Sequence, residues 1–465
     1  MHLRSRLAAA FVAATTLSLS APAAAQSKEL YRAAADRLID AAMKDSAAWK
    51  RIAELTDTFG HRLSGSDALE RAIDWTLVKM RADQLENVRG EAVMVPHWVR
   101  GAESAELLTP RGKSLAMLGL GGSVGTPAAG ITAPVIVVTS FDDLIARGAT
   151  VKGKIVLFDV PFTVYEATRV YRTNGASASA KQGAVAMLLR SVASGSMNSP
   201  HTGAMRYDST VAVKIPAAAI TVEDAQLLHR MQDRGQPISV RLQMSARTLP
   251  DAPSRNVVAE LRGRERPDEI VVFGGHIDSW DVGQGAMDDA GGVVAAWEAV
   301  RLMKALGLRP RRTIRVVGWT NEENGTKGGT AYRTTHAAEV DKHVFALESD
   351  NGVFRPFGIA VVGTDSAIAM LRRIAPLLSR IGADSVSRGD AEADVEPLLD
   401  AGVPGAGLSV DQTRYFWYHH TNADTPDKLD PRDVARCVAT MAVYAYVLAE
   451  MPETLPRTPV ASATP

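Results

Sequence analysis

Beyond about residue 255, short apolar runs alternate with longer segments whose apolar residues recur at helical spacing. Residues 256–261, 269–274, 313–319, 343–348 and 358–362 read as strands, and 291–306 reads as a helix between two of them. This alternation predicts an α/β domain with a mainly parallel, mixed sheet covered by helices on both faces. Residues 367–380 and 434–449 read as further covering helices, the first kinked or split at Pro376. Upstream, residues 27–95 read as largely helical: Leu30, Ala34, Leu38 and Ala42 keep one apolar face, and Ile73, Leu77 and Met80 another. A different texture fills 114–247. There, β-branched runs at 133–138 and 153–158 alternate with Gly-, Ser- and Ala-rich stretches, 177–188 looks like a helix feeding a strand, and 215–220 begins another extended piece. The Pro-, Ala- and Thr-rich end, 453–465, is expected to be disordered.

The 465 residues suffice for two or three domains and a large core. Fifty-two basic residues balance 52 acidic ones, so nothing points to nucleic acid or an anionic membrane as partner. The start, Met1-His2-Leu3-Arg4-Ser5-Arg6, is basic. An apolar stretch from Leu7 to Leu19 follows, then Ala23-Ala24-Ala25-Gln26. That pattern predicts a signal peptide over 1–25, cut after Ala25, and hence a secreted or periplasmic protein. No other segment is long and apolar enough to span a membrane. The single cysteine, Cys437, lies in an Ala/Val-rich helical pattern and reads as a small core residue, so no internal disulfide framework is expected.

Candidate chemistry gathers at the strand ends. The run Val271-Val272-Phe273 breaks at Gly274-Gly275 and delivers His276-Ile277-Asp278; Asp288-Asp289-Ala290-Gly291-Gly292 then opens the next helix. The strand at 313–319 leads into Asn321-Glu322-Glu323-Asn324, and that at 343–348 into Ser349-Asp350. Farther on, His419-His420 sits in a loop among Tyr415, Trp417 and Tyr418. Sites in open α/β sheets form at the carboxyl ends of strands, so these groups could converge. Histidines with clustered carboxylates suit a divalent metal, and imidazole favours zinc over magnesium or calcium. Each motif alone is weak, since Asp-Asp at a helix start is often only a cap. On the residues alone, Glu322 competes with Glu323, and His419 with His420. Trp280 and the aromatics around His420 read equally as pocket lining or as core.

As an ordered set, His-x-Asp, Asp-Asp, Glu-Glu, Ser-Asp and Tyr-His-His-Thr-x-x-Asp-Thr resemble the co-catalytic di-zinc aminopeptidase and carboxypeptidase family. The stretch from Gly275 to Asp289 is similar in particular to its plasma glutamate carboxypeptidase (carboxypeptidase Q) branch. The resemblance implies a zinc exopeptidase fold, with an N-terminal helical part at 26–113, a protease-associated domain inserted at 114–247 and the catalytic domain at 248–452. It implies two zinc ions bridged by Asp288, with His276 and Asp350 on one and Glu323 and His420 on the other. Asp278 would accept the other N–H of His276, and the Asp288–Asp289 bond would be cis. Glu322 would be the general base acting on a metal-bridging water. The implied activity is hydrolysis of dipeptides or short peptides, with homodimerisation as a lesser expectation. His61, in the loop Phe59-Gly60-His61-Arg62-Leu63-Ser64-Gly65, is expected to structure that loop rather than bind metal. Two alternatives were weighed: an acyltransferase of the glutaminyl-cyclase kind on the same fold, and a non-catalytic peptidase-like binding protein.

Overall fold

The computed structural model describes residues 23–195 and 197–460, with side chains from Tyr31 onward. The export signal expected over 1–25 lies, except for its last three residues, outside the described residues.

Eight strands form the main sheet: β1 Glu86–Val99, β2 Arg247–Leu261, β3 Arg266–His276, β4 Arg312–Trp319, β5 His343–Glu348, β6 Pro356–Val362, β7 Ser385–Arg388 and β8 Gly405–Val410. Their order is β1-β2-β4-β3-β5-β8-β6-β7. The centre, β4-β3-β5-β8, is parallel, whereas β1/β2, β2/β4 and β6/β8 are antiparallel. Side chains alternate along β3: Val271 and Phe273 enter one core, Ile270 and Val272 the other. The first core packs Leu38, Ile52, Trp297 and Tyr444 from the helices Ala23–Lys44, Ala47–Phe59, Gly291–Ala305 and Pro431–Glu450. The second packs Tyr332 and Leu398 from Lys327–Thr335 and Glu396–Leu399. Both faces are therefore covered, as the alternation predicts. Cys437 is buried in the last long helix, its thiol against the Phe354 carbonyl. The break at Pro376 also appears: the helix Asp365–Ile374 gives way to a 3₁₀ turn, Ala375–Ile381.

Three strands depart from the sequence reading. β1 falls largely within the segment read as helical. It is an edge strand whose buried apolar residues are confined to Val93, Val95 and Trp98, too few to declare a period. β7 is a polar edge strand, and β8 is built from small residues.

The inserted domain is wider than expected: its own eight-stranded sheet begins at Glu103–Thr109 and closes at Ser239–Met244. It buries separate cores on its two faces, one around Leu107, Leu188 and Leu242 and one around Phe158, Met187 and Leu189. Leu63, Trp98, Leu118, Trp280 and Val282 form an apolar seam between the domains. The expected disorder of the tail does not hold for 453–460. Leu455 is buried, and the Arg457 guanidinium donates to the carbonyls of Val340, His343 and Ala401. A segment without secondary structure of its own is held by an arginine fork on free carbonyls.

Candidate metal centre

Three neighbouring parallel strands aim their carboxyl ends at one place. β3 ends at His276, with Asp278 two residues on; Glu322 and Glu323 follow β4; Asp350 follows β5. Asp288 and Asp289 occupy the turn Ala286–Ala290 that starts the helix Gly291–Ala305, and the bond between them is cis. Two glycines allow this convergence. A Cβ on Gly275 would lie 2.2 Å from Asp289 Oδ2, and one on Gly292 would lie 1.9 Å from the Ser349 carbonyl.

The structure brings six of the seven predicted site residues into ligand or near-ligand range of one another. His276 Nε2 lies 3.1 Å from Asp288 Oδ1 and 3.1 Å from Asp350 Oδ1. His420 Nε2 lies 3.1 Å from Glu323 Oε2 and 3.4 Å from Asp288 Oδ2. Asp288 thus turns one oxygen to each group, and its Oδ2 is buried without a hydrogen-bond partner. Asp278 lies beneath, its Oδ1 accepting the Glu322 N–H at 3.1 Å. Glu322 lines the cleft beside these groups. His276 Nδ1 finds the Asp278 carbonyl at 3.0 Å and the Asp278 carboxylate only at 3.7 Å. The main chain of Asp278, rather than its side chain, is therefore the nearer orienting acceptor.

Neighbours fix these groups in turn. Asp289 accepts from the main-chain N–H of His276 and of Gly292; Asp424 accepts from those of Ala286 and Met287; Glu323 Oε1 accepts from Trp280 N–H. Fully buried Arg62 donates to the carbonyls of Gly60, Ile277, Gln284 and Gly285, binding the loop after helix Ala47–Phe59 to the segment that carries Asp288. His61, by contrast, is exposed. His420 has φ +61°, and Thr202 of the inserted domain bonds it twice: Thr202 N–H donates to the His420 carbonyl at 3.0 Å, and His420 Nδ1 lies 3.3 Å from the Thr202 carbonyl. His419 stacks on His420 with ring centroids 3.5 Å apart, its Nε2 3.7 Å from Asp288 Oδ2. Tyr415 donates its hydroxyl to the Asp350 carbonyl, Tyr418 is buried, and Trp417 is partly exposed. Arg62 stood in plain view in the sequence beside His61. Thr202 carried no signal, because only the fold brings the insert to this loop.

Electrostatics fit a cation site. Burial first, and neighbouring carboxylates second, push the Glu322 and Glu323 carboxyls well above their usual range. Burial also depresses both His419 and His420 well below an ordinary imidazole, favouring the neutral form that can ligate. Five clustered acids, two or more neutral imidazoles and an orphaned Asp288 oxygen are the donor set of a pair of divalent ions.

The model of peptidase family M28 matches residues 256–445, and that of the PA domain matches 122–228. Carboxypeptidase Q of Mus musculus is 48% identical over 409 residues, covering 88% of this chain and 87% of its own length. The chain belongs to peptidase family M28. Carboxypeptidase Q of Homo sapiens is 47% identical, over 88% of this chain and 86% of its own. The crystal structure of a peptidase M28 precursor from Shewanella amazonensis SB2B superposes with a TM-score of 0.88 at 36% identity, covering 93% of this chain and all of that one. An aminopeptidase from Aneurinibacillus sp. strain AM-1 shares the fold, with a TM-score of 0.63 at 20% identity over 92% of this chain and 98% of its own. This M28 protein is a metallopeptidase carrying an inserted PA domain.

Proposed function

We propose that the chain is an exported zinc exopeptidase that hydrolyses dipeptides or short peptides with two zinc ions. The observation that carries this reading is Asp288, with one oxygen toward His276 and Asp350 and the other, unpartnered, toward Glu323 and His420. In this reading His276, Asp350 and Asp288 hold one ion, and Glu323, His420 and Asp288 the other. When bound, the ions would supply Lewis acidity at the scissile carbonyl and lower the pKa of the attacking water. Glu322, a cleft residue outside both ligand sets, accepts the proton of that water and returns it to the leaving amine. Asp278 holds the Glu322 main chain and, through its carbonyl, orients His276. The cleft, about 1250 Å³, admits a short peptide between the two domains. Export is supported by the basic and apolar start of the chain. Among the described residues no helix is long and apolar enough to cross a membrane.

The test is metal analysis and dipeptide hydrolysis on one purified sample. About two zinc equivalents and turnover that a strong chelator abolishes and zinc restores are expected. Full turnover in protein shown to be metal-free would refute the proposal. The acyltransferase alternative predicts cyclisation of N-terminal glutamine instead, and the binding-protein alternative predicts no turnover at all.

A further inference from the structure

Buried arginines in this chain find partners with one exception. Arg62 donates to four carbonyls, Arg312 pairs with Glu269, and Arg315 pairs with Glu260. Arg172, on the helix Tyr165–Lys181 of the inserted domain, is 6% exposed and has no carboxylate partner among the described residues. Its Nη2 donates to the Tyr165 hydroxyl at 2.8 Å, and its Nε is buried with no hydrogen-bond partner. The guanidinium lies 5.4 Å from the Tyr165 ring centroid, which softens the burial of the charge but gives Nε nothing to bond. An unpaired buried cation is costly and calls for an anion.

The place of Arg172 says where that anion comes from. It lines the same cleft as Asp288 and Glu322. Tyr165, which takes its hydrogen bond, stands edge-on to His419 with ring centroids 5.3 Å apart. Gly203 lies against its other side: a Cβ there would come 2.5 Å from Arg172 Cζ, and the preceding residue, Thr202, is the one bonded to His420. The guanidinium is thus held one residue away from contacts to both histidines of the proposed centre.

Resting on the proposed peptidase activity, we infer that Arg172 receives the α-carboxylate of the substrate's C-terminal residue and so sets a preference for dipeptides with a free carboxyl end. A guanidinium fork matches a carboxylate in shape as well as charge. An α-carboxylate stands one residue from the scissile bond whatever the side chains, so a fixed arginine can serve every sequence. An acidic substrate side chain would offer the same chemistry but only in some substrates.

Alanyl-leucine, alanyl-leucine amide and alanyl-glutamate α-amide separate these sources. They are compared in the zinc-loaded wild type, Arg172→Gln and Arg172→Lys, with binding measured by calorimetry alongside kcat and KM. Arg172→Gln is expected to lose about 30-fold or more in kcat/KM and in affinity for alanyl-leucine, as when one partner of a buried charge pair is removed. Its action on the leucine amide should stay within a few-fold of wild type. Arg172→Lys should recover only part of the loss. Equal losses on the free acid and the leucine amide would overturn the inference, and so would rescue confined to the side-chain acid. Melting temperature guards against misfolding: removing an unpaired charge should leave it unchanged or raised, and a fall that tracks the activity loss on all three probes would assign Arg172 a structural role. If zinc-loaded wild type cleaves none of the probes, the proposed activity fails. The binding arm still decides the fate of the carboxylate seat.

Discussion

Glu322 and Glu323 are neighbours in the chain yet meet different surroundings. Glu323 is clasped between Trp280 N–H and His420, whereas only the main chain of Glu322 is tied down, leaving its side chain to face the cleft. Glu322→Gln should therefore keep both metals and lose ~10²–10⁴-fold in turnover, the usual cost of removing a general base. Metal loss with rapid residual hydrolysis would exchange the two roles. A similar contrast separates the histidines. His420 Nε2 is within 3.4 Å of oxygens from two acids, while His419 approaches one at 3.7 Å and stacks among aromatics. Zinc analysis should show a full equivalent missing from His420→Ala and a smaller deficit in His419→Ala; the reverse order would shift the ligand register by one. The residue-scale choices were legible because each predicted ligand stands at a strand end or in a motif. The orienting partner of His276 was not, because a main-chain carbonyl leaves no mark in a sequence.

Among the elements, β5 carries a titrating group at its first residue. His343 is buried between the Tyr332 hydroxyl on Nε2 and the Glu339 carbonyl on Nδ1, both at 2.9 Å, which suits a neutral ring. Burial pushes its pKa down to about 4, below the usual 6.5 of the unfolded chain. A depressed histidine leaves stability intact above pH 6.5 and costs it progressively as pH falls toward 4, by on the order of 3 kcal/mol in all. The denaturation midpoint of wild type should thus fall more steeply than that of His343→Gln between pH 6.5 and 4, and parallel slopes would remove His343 from the account. Taking the difference between variants cancels the acid sensitivity of the metal centre. The long, fully buried strands β3, β4 and β5 could be read from their apolar runs. β1, β7 and β8 could not, since edge strands and small-residue strands dilute the periodicity on which such reading depends.

For the whole molecule, the order of motifs and the texture change at the insert disclosed the two-part architecture, although the boundary at Glu103 was hidden in a polar strand. What no pattern disclosed is how the insert meets the centre. Trp280 fills the junction so tightly that a Cβ on Gly121 would fall 2.0 Å from its ring, and Arg100 ties Asp281 to Thr202. Contacts between distant segments become visible only once both sheets have folded.

The reciprocal bond between Thr202 and His420 carries a consequence for how this architecture can vary. An insert joined to its host only at its two ends could be exchanged between relatives as a cassette. Here the graft also has a third attachment, inside the reacting centre, so a transplanted insert must reproduce the trajectory of its 200–204 loop as well as its ends. Chimeras that match the splice points but alter that loop should fold as two sound halves and still mishandle one ion.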